Sequence, residues 1–189
     1  LILACNGTLF NPSLASSSIS GIEIDSRNCG DGDLFVALAG DKQDGHDFLV
    51  EAANAGATAC LVSRPQSDLS IIQIIVDDTL AGLVRLAAAG RSRFGGSMIG
   101  ITGSVGKTGT KDMLAHALAN FGKTHASKQS YNNHIGVPIT LSTLPADYDF
   151  AIQEMGMNAA GEIANLTSLA LPDIAMITRI TNTHIEFFD

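Results

Sequence analysis

The sequence predicts an α/β protein: a small N-terminal α/β unit, then the first part of a phosphate-loop unit with a mainly parallel sheet. Three observations carry this expectation. Short apolar runs alternate with helical patterns, as strand–helix–strand crossovers require. The apolar run Met98–Thr102 ("MIGIT") leads directly into glycines and a Gly-Lys-Thr. The texture of the chain also changes near residue 78, where a long helical pattern follows strand-like segments.

Strand candidates in the first region are Leu34–Leu38 (LFVAL), Thr58–Val62 (TACLV) and Ile71–Val76 (IIQIIV). Between the first two, Phe48, Leu49, Ala52, Ala53 and Ala55 suit one helix face, and Gly56 suits its stop. Asp78 can cap the next helix, whose apolar stripe is Leu80, Leu83, Val84, Ala87 and Ala88 and which Gly95-Gly96 ends. A boundary at this helix gives residues 1–78 and 79–189. In the second region, strands are expected at Met98–Thr102, Phe150–Glu154 and Ile174–Thr178, with helical patterns between them.

The composition limits the function classes. With 189 residues, 46% of them hydrophobic and 16% charged, the chain can bury a core. A net charge of −8 argues against a nucleic-acid surface, which needs a basic stripe. It does not exclude a single nucleotide, because backbone N–H groups and one lysine can hold a phosphate. Cys5, Cys29 and Cys60 show no CxxC spacing and are expected as buried thiols of a reducing compartment. "LILAC" lacks the basic leader of a lipoprotein signal, and without an initiator Met the true start is expected upstream. No apolar run reaches the roughly 18 residues of a membrane span.

The loop after Met98–Thr102 is the strongest signal. Gly103, Ser104, Val105, Gly106, Lys107, Thr108 and Gly109 lie between a strand and a helix, where backbone N–H groups and the helix dipole favour an anion. Lys107 would reach β- and γ-phosphates, and the Thr108 hydroxyl would ligate Mg²⁺. The common loop pattern needs a glycine where Ile101 stands. Here glycines fall at 100 and 103, a tighter GxxGKT variant.

Other polar residues lie beyond expected strand ends. Glu154 closes "FAIQE" and either faces the ligand crevice or caps a surface helix. His184, in a loop beyond "IAMITRITNT", could ligate a metal, although a lone histidine is more often structural. "SYNNHIGVP" holds Asn132 and Asn133 and could equally be a turn cluster. His46, His116 and His125 read as structural or surface residues, and Asp77 and Asp78 as helix caps.

Together these segments resemble the Mur ligases, the ATP-dependent amide-bond formers of peptidoglycan synthesis. "IDSRNCGDGDLFVALAGDKQDGHDF" is similar to their UDP-binding domain and "ITGSVGKT" to their phosphate loop. "THIEFFD" resembles their His-Leu-Glu segment. "NNHIGVPITL" and "EMGMNAAGEI" favour the MurF branch, which adds D-Ala-D-Ala to UDP-MurNAc-tripeptide, over the MurE branch.

The resemblance implies ATP and Mg²⁺, with an acyl phosphate as intermediate. It assigns Lys107, Glu154 and His184 to catalysis, Thr108, Glu154 and His184 to metal, and residues 103–109 to ATP. Ser26, Arg27, Asn132 and Asn133 go to the UDP-MurNAc-peptide. It also implies a cytoplasmic enzyme, monomeric when full length, with no nucleic acid and no membrane insertion. Family members continue into a modified lysine, adenine contacts and a third domain. The chain is therefore expected to be an inactive fragment with an exposed sheet edge. Rival readings are a MurE-type amino-acid ligase and a nucleotide-binding regulatory module, which would have no use for a UDP-sugar.

Overall fold

Two sheets form where the chain concentrates its apolar runs. The computed structural model describes residues 1–10, 18–40, 42–128 and 130–181. It comprises two compact units, Leu1–Leu86 and Ala87–Asp189.

The first unit contains α1 (Ile2–Cys5), β1 (Thr8–Leu9), β2 (Gly21–Glu23), β3 (Asp33–Val36), α2 (Leu49–Ala55), β4 (Ala59–Val62) and β5 (Ile72–Ile75). The sheet order is β1-β5-β4-β3-β2; β2 to β5 run parallel and β1 pairs antiparallel with β5. The three expected strands are β3, β4 and β5. β1 and β2 had no signal, because two or three residues are too few for a periodicity to register. Phe35, Leu49, Ala52, Cys60 and Val62 form the core.

The expected helix begins later than its apolar spacing suggested. Asp44 accepts from the His46 N–H and caps a 3₁₀ turn over Gly45–Phe48, so Phe48 precedes α2. Leu49 and Ala52 are its buried residues, and Gly56 closes it in the left-handed region. All three cysteines are buried free thiols, and burial pushes Cys60 up to about 12.

His46 is structural. Its Nδ1 lies 2.6 Å from Asp44 Oδ1, and its Nε2 accepts the Ser63 backbone N–H at 2.9 Å. That pairing puts the ring proton on Nδ1. The Ser63 hydroxyl is also near Nε2, at 3.2 Å. The array superficially matches a Ser-His-Asp site, but the lone pair a base would need is already committed to backbone.

Helix α3 (Thr79–Arg93) spans the division between the units. Asp78 Oδ1 accepts from Ala81 N at 2.7 Å, as expected of a cap. Its buried face is Gly82, Leu83, Leu86, Ala87 and Gly90, whereas Val84 and Ala88 are exposed. The stripe read from the sequence missed this rotation because it counted bulk and passed over the glycines.

The second unit continues with β6 (Ser97–Thr102), α4 (Lys107–Leu118), β7 (Thr124–Ala126), α5 (Gly136–Ser142), β8 (Phe150–Glu154), α6 (Glu162–Ala170) and β9 (Ile174–Ile177). All four strands are parallel, in the order β7-β8-β6-β9. Successive side chains face opposite sides. Met98 and Ala151 therefore join Val137, Leu141 and Leu166 on one face, while Ile99, Ile101 and Ile152 meet Leu114 and Leu118 of α4 on the other. Both faces of β6 and β8 are covered, as parallel sheets require. β9 is an edge strand, and all four of its side chains are exposed. Among the described residues, no helix is long and apolar enough to cross a membrane.

Candidate phosphate-loop site

Parallel strands bring their C-terminal ends to one edge, so the turns after β6 and β8 share the crevice where α/β sheets hold ligands. The turn after β6 carries Gly103 at φ +131° and Gly106 at φ +86°. Both conformations are nearly closed to residues with a Cβ. The second leads directly into α4, whose first turn contains no acidic residue. The helix therefore presents its positive end to the loop.

Lys107 lies at that end. Its ammonium donates to the Gly103 carbonyl at 2.7 Å and to the Ser104 carbonyl at 3.4 Å. The lysine thus lies against the loop it would serve, and phosphate oxygens could replace those carbonyls as acceptors. Thr108 donates its hydroxyl to Glu154 Oε2 at 2.9 Å. Glu154 ends β8 and is only 1% exposed. Its other oxygen accepts from Asn132 Nδ2 at 2.8 Å. A buried carboxylate is tolerated only with such partners.

Lys107, Thr108, Glu154 and Asn132 therefore converge on one edge. Asn132 lies on the carboxylate itself, and its carbonyl accepts from Gly156 N at 2.7 Å, tying the two loops together. Asn133 serves the backbone: its Oδ1 accepts from Ile135 N at 3.1 Å and Gly136 N at 2.8 Å, at the start of α5. A cap is a standard use of asparagine. His184 lies outside the described residues.

A cleft of about 270 Å³ adjoins Lys107, lined also by Asn132, Asn133, His134, Asn158 and Glu162. Glu162 accepts from the N–H groups of Asn158 at 2.7 Å and Ala159 at 3.3 Å. Those two donors hold its carboxyl below the usual range. Sequence reading missed this anchor, although a glutamate opening a helix after a glycine-containing loop suits such a role. It also missed Lys111, which is buried and donates to the Ser127 carbonyl at 2.8 Å.

Among the described residues, no group of three or more His, Cys, Asp or Glu could alone hold a metal ion. Mg²⁺ needs less, since it keeps several waters and commonly takes one or two carboxylates together with substrate phosphates. Glu154 beside the Thr108 hydroxyl fits that requirement.

Ser26 and Arg27 lie in the first unit. They line a separate cleft of about 420 Å³ with Asp25, Gln43, Phe48 and Glu51. Ser26 Oγ donates to Glu51 Oε2 at 2.8 Å. Arg27 is bidentate on Asp25, through Nε at 2.8 Å and Nη2 at 2.6 Å. The guanidinium, helped by the Arg27 N–H, lowers the Asp25 carboxyl to about 2. This is the local ion pair that a turn would make. Arg27 is exposed all the same, so its outer N–H groups stay open to a ligand.

Two family profiles match the chain: one described as the Mur ligase middle domain over residues 101–189, the other as the Mur ligase family catalytic domain over residues 18–89. The chain belongs to the Mur ligase family. Among curated Mur ligases, it is 46% identical over 169 residues to the UDP-N-acetylmuramoyl-tripeptide–D-alanyl-D-alanine ligase of Synechocystis, covering 88% of this chain and 37% of that protein. It is 42% identical to the Bacillus subtilis ligase of the same name, covering 95% and 40% respectively. A crystal structure of MurF from Acinetobacter baumannii matches 98% of this chain and 41% of its own, with a TM-score of 0.87 and 34% identity. The MurF ligase of Thermotoga maritima in complex with ADP matches with a TM-score of 0.75 and 30% identity, covering 95% of this chain and 41% of that one. The chain thus spans about 40% of the length of these Mur ligases.

Proposed function

We propose that this chain supplies the UDP-holding unit and the phosphate-handling part of a MurF-type ligase. That enzyme joins D-Ala-D-Ala to UDP-MurNAc-tripeptide at the expense of ATP. The observation that carries the reading is the Thr108–Glu154 bond at 2.9 Å, beside a lysine at a helix N-terminus. The choice of substrates rests on the names of the relatives.

The chemistry suits these residues. A carboxylate is a poor electrophile, so the peptide's terminal carboxylate first attacks the γ-phosphorus of ATP. The bond to ADP breaks and an acyl phosphate forms. The amine of D-Ala-D-Ala then attacks the acyl carbon, phosphate departs, and the amine loses a proton. Such transfers need positioning and charge neutralisation rather than a protein nucleophile. Lys107 releases its loop carbonyls and takes phosphate oxygens. The loop's N–H groups other than that of Ser104, which is held by the Arg179 carbonyl, would orient the β-phosphate. Mg²⁺ held by Thr108 and Glu154 would neutralise further phosphate charge. Asn132 keeps Glu154 fixed during this exchange.

In the first unit, the cleft around Ser26 and Arg27 takes the UDP end of the substrate, with Phe48 as an apolar wall and Arg27 facing the pyrophosphate. ATP and a nucleotide-linked peptide as substrates place the reaction in the cytoplasm.

The test is phosphate release by the full-length protein with ATP and UDP-MurNAc-tripeptide. Release should require D-Ala-D-Ala. Equal release with a single amino acid as acceptor, or ATP hydrolysis indifferent to the UDP substrate, would overturn the assignment.

A further inference from the structure

The phosphate loop is held from outside as well as from its own ends. The segment immediately after β9, Thr178–Thr181, runs along it. Thr178 N donates to the Thr102 carbonyl at 2.9 Å, and Ser104 N donates to the Arg179 carbonyl at 2.7 Å. Val105 and Arg179 form an isolated antiparallel bridge. Ser104 Oγ donates to the Thr181 carbonyl at 3.1 Å and lies 3.0 Å from the Thr181 N–H. The Thr178 hydroxyl donates to the Val105 carbonyl at 2.7 Å, with the Thr102 carbonyl as second acceptor at 3.2 Å. Thr178 Oγ1 also occupies the space where a side chain on Gly103 would project.

We propose that Thr178 is a positioning residue for nucleotide binding, fixing the phosphate loop by turning the Val105 carbonyl outward so that the loop's N–H groups other than that of Ser104 can face the phosphate. The inference rests on the assignment of residues 103–109 to ATP phosphates. In a loop that binds anions through its N–H groups, a carbonyl facing the anion would repel it unless a cation lies between, as Lys107 does for the Gly103 and Ser104 carbonyls. Val105 sits between the glycines and has a side chain, so its peptide needs an external holder. Thr178 supplies that donor from a neighbouring strand end. The remaining bonds along 179–181 keep the threonine in place. Nucleotide binding is thereby coupled to the chain beyond β9.

The experiment titrates Mg-ADP into the full chain and its Thr178→Val and Thr178→Ser variants, with the thermal midpoint read on each. Valine keeps the shape and removes the hydroxyl, so affinity should fall roughly tenfold, the scale of one lost hydrogen bond in a binding site. Serine restores the hydroxyl and should return affinity close to the unmodified value, with the midpoint nearly constant across all three. Amide exchange gives a second reading if valine lowers stability. The Ser104 N–H should exchange faster in Thr178→Val while β6 stays protected. Unchanged ADP affinity in Thr178→Val, failure of serine to rescue, or uniformly faster exchange would each overturn the proposal. Failure of the unmodified chain to bind ADP would overturn the nucleotide assignment, and this proposal with it. That outcome is recognisable because it precedes any substitution.

Discussion

Lys107 is held by two backbone carbonyls rather than by a carboxylate, so its charge is not neutralised by an acid in the loop. In the proposed reaction it would meet developing phosphate charge. In the full-length enzyme, Lys107→Ala should lower turnover on the order of 10²–10³-fold, as loss of a preorganised charge-stabilising donor does. The thermal midpoint should hardly move; near-normal phosphate release would contradict its role. His125 gives a pH prediction. Burial pushes its imidazole below the ordinary 6.5, and its ring packs edge-on against Tyr148. The unfolded chain therefore binds the proton more readily than the folded one. The stabilisation is full above about pH 6.5 and is lost as pH falls through the folded value. Thermal melts from pH 7.5 to 5 should show a declining midpoint, and His125→Phe should flatten part of that decline. An unchanged slope in the variant would rule His125 out.

At the scale of elements, legibility followed length. β6 and β8 were readable because each carries an apolar stretch, Met98–Ile101 and Phe150–Ile152, of the kind that both faces of a parallel sheet can bury. The turn from β6 into α4 was readable because glycines between an apolar run and a helical pattern mark such a turn. The partners of Glu154 were not. Asn132 reaches it across 22 positions, and no local pattern encodes that meeting. Asn132 and Asn133 looked equivalent in sequence, yet one holds a carboxylate and the other a helix start. The contact of α3 with α5 was equally hidden. A Cβ on Gly90 would run into the Leu141 carbonyl, and would stand 3.2 Å from Ser142 Cα. Gly90→Ala should therefore destabilise the protein by about 1–3 kcal/mol through overpacking, although alanine is the better helix former. Chemical denaturation measures this, and a stabilised variant would show that the two helices can part without loss.

At the scale of the whole molecule, two α/β units carry two clefts of different character. One pairs an exposed arginine with an aromatic wall, and the other sets a lysine and a buried carboxylate at a loop of N–H groups. Under the proposed function, the first cleft would hold a nucleotide and the second the phosphates of ATP. Relatives of the same family carry the remaining 60% or so of their length beyond what this chain spans. We propose that Lys107, Thr108 and Glu154 form one Mg²⁺–nucleotide site. The most direct measurement is ADP affinity with and without Mg²⁺, for the unmodified protein and for Glu154→Gln, which keeps the shape and one acceptor but removes the charge. The unmodified protein should bind ADP roughly tenfold more tightly with Mg²⁺, about 1.4 kcal/mol. Glu154→Gln should lose that gain while its metal-free affinity stays the same. An equal Mg²⁺ gain in both proteins would contradict the account.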